Sequence, residues 1–500
     1  MKRLLFMIAA MMALTGAWGQ SDTMALRAIG EESRHADADM MMNAHYLGAL
    51  EGLDIWLTRS DDGVKGFANK RDWHVVKFSD VLYPMERVEL PGTAHCQVLG
   101  AVGAQSNIDG IHRASVLMVD SSARGRVSIL RARLSMDTLR LMGGRLDTVE
   151  SYTFGRKDLS KVWCAVSPNG KYLAVLTIVQ YVDRKDYISV SRVFDENLNE
   201  VWAKDYAVGV TEDIYVDDEG TMYTLGKEQI SNGVRFLMNV MSQGSADSYR
   251  MDMQCDPVHD LQIVNVIGKK ILCAGLFTLS SIFPDEHLTS GVVMMTLDAD
   301  SMVVEGFKMR FFQNEDMNIM LNKNTKKFQR EHDMAMVSML GTVRMPYGSV
   351  VAVGHHHVLH YTNANGTVTH SYYAKGIQLL AFDTLGNIMW VRNIRRNDMT
   401  EISDRMLDLH LFADGDNVCL LKNEHRKEPA EYIITEEAHE YEVGDKSNLV
   451  LYTVSPKGDV SKTCLEKETK QALAGMGHRA DGSWALLSFH GSKCRMAVMK

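Results

Sequence analysis

One strand-turn-strand signature recurs along most of the chain. Phe194-Asp195-Glu196-Asn197-Leu198-Asn199-Glu200-Val201-Trp202 and Phe382-Asp383-Thr384-Leu385-Gly386-Asn387-Ile388-Met389-Trp390 carry Phe, Asp, Asn and Trp in one register. An apolar strand leads in, a polar turn follows, and a strand ending in Trp leads out. Such a unit cannot bury its apolar face alone, so copies must stack. Weaker forms of the turn lie at Phe78-Ser79, Leu134-Ser135, Leu297-Asp298 and Val454-Ser455, and a degenerate one near Phe236 to Met241.

A second signal alternates with the first. It is a polar turn followed by an apolar strand, as in Ser167-Pro168-Asn169-Gly170-Lys171 before Tyr172 to Leu176. It returns at Asp217-Asp218-Glu219-Gly220, at Asp414-Gly415-Asp416-Asn417 and at Ala480-Asp481-Gly482-Ser483. Gly beside Asp or Asn supplies the positive φ that tight hairpins need. Two alternating turns make each unit several antiparallel strands. The early steps, Phe78 to Leu134 to Phe194, slightly exceed the ~40–50 residues of a typical blade repeat. The pattern predicts an all-β fold, a β-propeller of seven or eight four-stranded blades. The last unit runs out near Met496 to Lys500, so a segment near Asp22 to Ile29 is expected to supply its outer strand and close the ring. A β-sandwich followed by a second all-β domain, or a six-bladed ring with an extra N-terminal segment, fits the same signals. Met24 to Leu50 and Thr325 to Leu340 are the stretches with the most helical character.

The first residues read as a secretory signal over 1–19. Lys2 and Arg3 precede an apolar core, Leu4 to Leu14, that is too short to span a bilayer, and Ala17-Trp18-Gly19 offers small residues for cleavage after Gly19. No later apolar run approaches the ~20 residues of a spanning helix. The expected product is exported, periplasmic or extracellular, with an N-terminal segment at 20–43 and a single propeller domain at 44–500. No linker divides the chain, and Pro numbers only eight in 500 residues. The formal charge of −9 argues against nucleic-acid binding, which needs a basic face. Seven cysteines cannot all pair within one chain and form no CxxC motif. Several sit inside apolar strands, as Cys164 and Cys273 do, where a thiol is a small buried side chain. One disulfide remains compatible with an oxidising compartment.

With these turns in view, the chain resembles an exported β-propeller family seen in Bacteroidota, with WD40/TolB-like turn motifs. The strongest part is Gly376 to Phe382-Asp383 and on through Trp390 to Ile394; Gly291 to Phe307 and Ser447 to Gly458 also fit. The resemblance implies the fold and export, and carries no catalytic residues. It also implies O-glycosylation at Asp-Ser/Thr-apolar tripeptides, matched by Asp22-Thr23-Met24, Asp137-Thr138-Leu139, Asp147-Thr148-Val149 and Asp383-Thr384-Leu385. A plain turn Thr after Asp explains the same tripeptides.

The densest chemistry is His355-His356-His357 with His360 and His370. Side chains alternate along a strand, so His355 and His357 share one face and His356 and His360 the other. A hairpin through Asn363-Ala364-Asn365-Gly366 would bring His370 opposite His360. Two or three imidazoles among His355, His357, His360 and His370 would suit Zn or Cu; a polar exposed hairpin is the alternative, and no other cofactor is expected. Carboxylates at Asp183, Asp186, Glu212-Asp213 and Asp217-Asp218-Glu219 lie in or beside turns. No GxSxG, HExxH, P-loop or dinucleotide motif is present. Methionine, at 33 residues, reads as core filling. The expected function is non-enzymatic binding or scaffolding of a protein or glycan partner at one face of the ring, with a purely structural place in an envelope complex as a further option. Insertions at 310–345 and 422–446 would enlarge that face, and Glu424 to Glu442 would give it an acidic rim. The alternative is a carbohydrate-active enzyme, a glycoside hydrolase or lyase, with carboxylates from several blades.

Overall fold

The repeated units close into a ring of eight four-stranded antiparallel blades. The computed structural model describes residues 24–30, 33–34, 41–60, 72–108, 111–120, 125–155, 159–181, 186–205, 210–230, 233–251, 258–278, 288–313, 315–316, 334–335, 337–362, 368–400, 407, 409–433, 438–490 and 493–500. Blade one is Met41–Leu50, Leu53–Ser60, Trp73–Phe78 and Pro84–Leu90; blade two is Cys96–Ile108, Ile111–Asp120, Arg126–Ser135 and Asp147–Thr153. Blade three is Leu159–Val166, Leu173–Tyr181, Asp186–Phe194 and Glu200–Asp205; blade four is Val210–Val216, Met222–Ile230, Gly233–Met241 and Ala246–Met251. Blade five is Val258–Ile267, Lys270–Phe277, Gly291–Asp298 and Val304–Phe311; blade six is Val337–Met345, Gly348–Thr362, Val368–Asp383 and Ile388–Thr400. Blade seven is His410–Asp414, Asn417–His425, Ser447–Val454 and Val460–Thr469. Blade eight is Ala472–His478, Trp484–His490 and Lys493–Met499, completed by Leu26–Ile29 from the other end of the chain.

The first strand of each blade is innermost. First strands touch from blade one through to blade seven, and Ala472–His478 of blade eight returns to Met41–Leu50 of blade one. Closure is made as expected from the sequence. Leu26 pairs with Met499 and Ile29 with Ala497, and the Ala25 and Lys500 backbones exchange hydrogen bonds of 3.0 and 3.1 Å.

Among the described residues, buried apolar side chains form eight clusters, one in each interface between neighbouring blades. The second strand of blade five shows how. Ile271 and Cys273 face blade four, while Leu272, Ala274 and Leu276 face blade six. With both faces covered, the strand reads as an unbroken apolar run instead of an alternating one. The signature residues divide in the same way. Phe194 and Phe382 enter the interface with the preceding blade, and Trp202 and Trp390 the interface with the following one. Each Trp Nε1–H donates to a carbonyl of the next blade at 3.1 Å, Trp202 to Gly220 and Trp390 to Pro456.

The signature Asp holds its own turn. Asp195 Oδ1 accepts from the Asn197 and Asn199 amides, both at 2.8 Å, and Asp383 Oδ1 accepts from Leu385 at 2.9 Å and Asn387 at 2.7 Å. These bonds hold both carboxyls, so that of Asp383 titrates below its ordinary range despite some burial. Thr384 lies within this turn, as a plain turn Thr does.

Three expectations are corrected. Met24 to Leu50 is not helical where described, because Leu26–Ile29 and Met41–Leu50 pair as strands. The described part of Thr325 to Leu340 is also strand, at Met334–Ala335 and from Val337. The blade number is eight, so the six-bladed and sandwich alternatives fall. The signal segment and its cleavage point lie outside the described residues. Among those described, no helix is long and apolar enough to cross a membrane.

Candidate binding face

Strand direction alternates through each blade, so the two kinds of connection fall on opposite rims. First-to-second and third-to-fourth connections share one rim. There, apart from 136–146, each is a short turn such as Asp195 to Asn199 or Asp217 to Thr221. Second-to-third and blade-to-blade connections share the other rim. That rim carries 61–72, 278–290, 312–336, 401–409 and 426–446. The two insertions expected to enlarge one face therefore lie on the same face.

Blades five to seven build that face up. The middle strands of blade six, Gly348–Thr362 and Val368–Asp383, have 15 and 16 residues. The second strands of blades four and five have 9 and 8. At ~3.3 Å per residue the blade six hairpin projects roughly 20 Å beyond its neighbours. Its first strand begins opposite His355; beyond that point the hairpin strands continue paired to each other. His360 stands directly opposite His370 in the register, as the hairpin reading required. His355 is buried and His356 half-buried; the side chains of His357, His360 and His370 lie outside the described residues. Among the described residues no three His, Cys, Asp or Glu side chains converge on one point.

The long connection of blade seven folds back over blade six. Tyr441–Glu442 adds a parallel pairing to Asp398–Met399, and the Tyr432 hydroxyl donates to Asn393 O at 2.7 Å. Asn397 Nδ2 donates to Ala438 O at 3.1 Å. Glu424 and Glu428 do not form an acidic rim, because both are buried against cations. Glu424 pairs with Lys462 and accepts from the Tyr452 hydroxyl at 2.9 Å; Glu428 pairs with Arg395 at 3.2 Å. Burial and the neighbouring Glu424 push the Tyr452 phenol well above its ordinary range. Glu431, Glu440 and Glu442 remain exposed. Beside these pairs Arg396 binds Asp398 at 2.6 Å, and Lys422 stands 4.0 Å from the same carboxylate.

Blades five and six are joined near this rim by a closed polar circuit. Arg310 pairs with Asp316 at 2.9 Å and donates to Gln378 at 3.2 Å. Gln378 donates to Asn393 at 3.0 Å, and Asn393 donates back to Asp316 at 2.9 Å. Each member satisfies another, which is what makes a buried polar group tolerable.

The carboxylates singled out in the sequence have separate fates. Asp217 is a turn residue, accepting from the Glu219 and Thr221 amides at 2.9 and 2.8 Å. Asp218 accepts from the Asn169 amide of blade three at 2.8 Å. Asp183 lies outside the described residues. Asp213 sits on the innermost strand of blade four and accepts from the Ile263 amide of blade five at 2.7 Å. Burial pushes its carboxyl up to about 7.

No family model matches the chain, and no curated protein sequence does either. Among solved structures it is similar to the WD40 domain of SCAP from fission yeast, at 9% identity over 96% of this chain and 98% of that one, with a TM-score of 0.37. It is similar to an acylaminoacyl peptidase of Pyrococcus horikoshii at 8% identity over 92% of this chain, with a TM-score of 0.36. The chain spans 59% of that peptidase's length. The Dos1 propeller matches at 8% identity over 75% of this chain and 88% of that one, with a TM-score of 0.34. The eight-bladed assignment rests on the strand pairing and not on these likenesses.

Proposed function

We propose that this chain is an exported, non-enzymatic binding protein that holds a protein or glycan partner on its loop-bearing face over blades five to seven. The unequal rims carry the reading. One rim is cut back to short turns that clasp neighbouring blades. The other holds nearly all the long connections and a projecting hairpin, and loops raised on a rigid scaffold are where recognition concentrates. The buried ion pairs beneath the blade seven connection hold that surface in place.

The test is capture from the native envelope, run beside a glycan array, with the full chain and with a variant whose hairpin is shortened by replacing residues 360–370 with a two-residue Asn-Gly turn joining the paired Leu359 and Ser371. A partner or glycan retained by the parent and lost by a variant of unchanged melting temperature supports the proposal. Equal retention by both overturns it. Asp213 favours the second reading, a carbohydrate-active enzyme, because a carboxyl titrating near neutrality suits acid-base work. Glycan cleavage by the parent that persists in the hairpin variant and disappears in Asp213→Asn would establish that reading instead. His360 standing opposite His370 in the register also supports a Zn or Cu site at that pair, while strand alternation sets His355 and His357 on the other face. Metal analysis of untagged protein at neutral pH tests it, and a metal-free result removes it.

A further inference from the structure

At the loop-bearing rim, where blades six, seven and eight meet, lies a cavity of about 40 Å³. Arg396, Asp398, His410, Lys422, Asn423 and Tyr441 line its polar side, and Ala472 and Leu473 of blade eight bound it. Two of these groups are cations and one is an anion. The side chains of Arg396, Lys422 and Asp398 are 3%, 7% and 8% exposed. Arg396 Nε donates to Asp398 Oδ2 at 2.6 Å and Nη2 donates to Leu407 O. Among the described residues its Nη1 has no acceptor. The Lys422 ammonium donates to Arg395 O at 3.3 Å, and its 4.0 Å separation from Asp398 is too long for a hydrogen bond. The single carboxylate is thus hydrogen-bonded to the guanidinium and faces the ammonium only across 4.0 Å, so two buried cations share one anion and one positive charge is left over.

Burying such a charge is unfavourable unless it is compensated. The remaining partners supply no negative charge. Asn423 is occupied, donating to Ser447 Oγ and Gln471 O, both at 3.0 Å, and accepting from the Leu473 amide at 3.2 Å. Burial and the Arg396 charge hold the His410 imidazole down to about 4, so it is neutral at physiological pH. A group pushed down by a neighbouring cation reports a positive local potential.

We propose that this cavity binds one monovalent anion of halide size between Arg396 and Lys422. The volume suits a halide or one to two waters and leaves no room for a larger oxyanion with its own hydrogen-bonding shell. The ion joins a cation of blade six to a cation of blade seven where blade eight closes over them. It therefore acts as a removable pin between three blades.

The full chain is melted in sodium chloride, in sodium bromide and in sodium gluconate at equal ionic strength. Gluconate is too large to enter. The melting temperature is expected to rise saturably with either halide and not with gluconate, and the halide-dependent rise is expected to vanish in Lys422→Met, which keeps the aliphatic stem. Crystals grown in bromide are expected to show an anomalous peak between Arg396 Nη1 and Lys422 Nζ. Should K422M fail to fold, the bromide map of the parent protein decides alone. A cavity holding only water, with no peak and with the same halide response in parent and variant, overturns the proposal.

Discussion

Asp213 shows how one side chain can set a pH dependence for the whole ring. Its carboxyl titrates near 7 in the folded protein against an ordinary value of 3.8. Unfolding therefore releases its proton between those values, and its contribution to stability falls as pH rises from about 4 to 7 and is level above. Asn at this position keeps an acceptor for the Ile263 amide and does not ionise. Asp213→Asn is expected to be more stable than the parent at pH 8, with the gap closing toward pH 4. Urea midpoints across that range check it, and parallel slopes for both proteins would count against it. Cysteine behaves at the same scale as its sequence context suggested. Among the described residues no two cysteines form a disulfide. Burial pushes the Cys96, Cys164 and Cys419 thiols up to about 12, and Cys273 higher still. Thiolate, not thiol, is the reactive form. Cys96, Cys273, Cys419 and Cys494 should therefore resist alkylation at pH 8 in the native protein and all react in denaturant, as mass spectrometry of the labelled chain will read.

Turns were the most legible elements in the sequence, because they need particular residues for local reasons. Gly458 and Gly482 each adopt positive φ, +86 and +79. They differ in surroundings. A Cβ on Gly458 would lie 2.8 Å from the Trp390 ring of blade six, while one on Gly482 would meet open space. Gly482→Ala is expected to cost about 1–2 kcal/mol from backbone conformation alone. Gly458→Ala is expected to cost more, because it also lifts Trp390 and its bond to Pro456. Equal losses in denaturant melts would mean that the contact between blades carries no weight. The innermost strand Met41–Leu50 was harder to read. Its Met, Ala and Leu content favours a helix, and only pairing with Leu53–Ser60 and packing on both neighbours overrides that preference. The ion pairs of blade six were invisible for a related reason. Arg395 and Arg396 are adjacent and point to opposite faces of a strand. Both are buried because the blade seven connection, some thirty residues downstream, folds over them. No local pattern in the strand announces that cover.

At the scale of the whole molecule, stability resides in eight interfaces instead of one nucleus, and the ring holds only if its last interface is closed. Removing residues 20–34 takes away Leu26–Ile29 and exposes the edge of Lys493–Met499, whose apolar residues are built for pairing. The truncated protein is expected to melt well below the parent and to aggregate; calorimetry and light scattering check this, and an unchanged melting profile would refute the closing role. The fold was legible because repetition shows in sequence. The long connections were legible only as length, since which rim they share follows from strand order. The closing pair also sets how the ring responds to force. Residues 25 and 500 meet at the same end of two antiparallel strands. Tension applied through those two positions would load one rung at a time and peel the clasp like a zipper, so the ring would open at low force however well its remaining blades are packed.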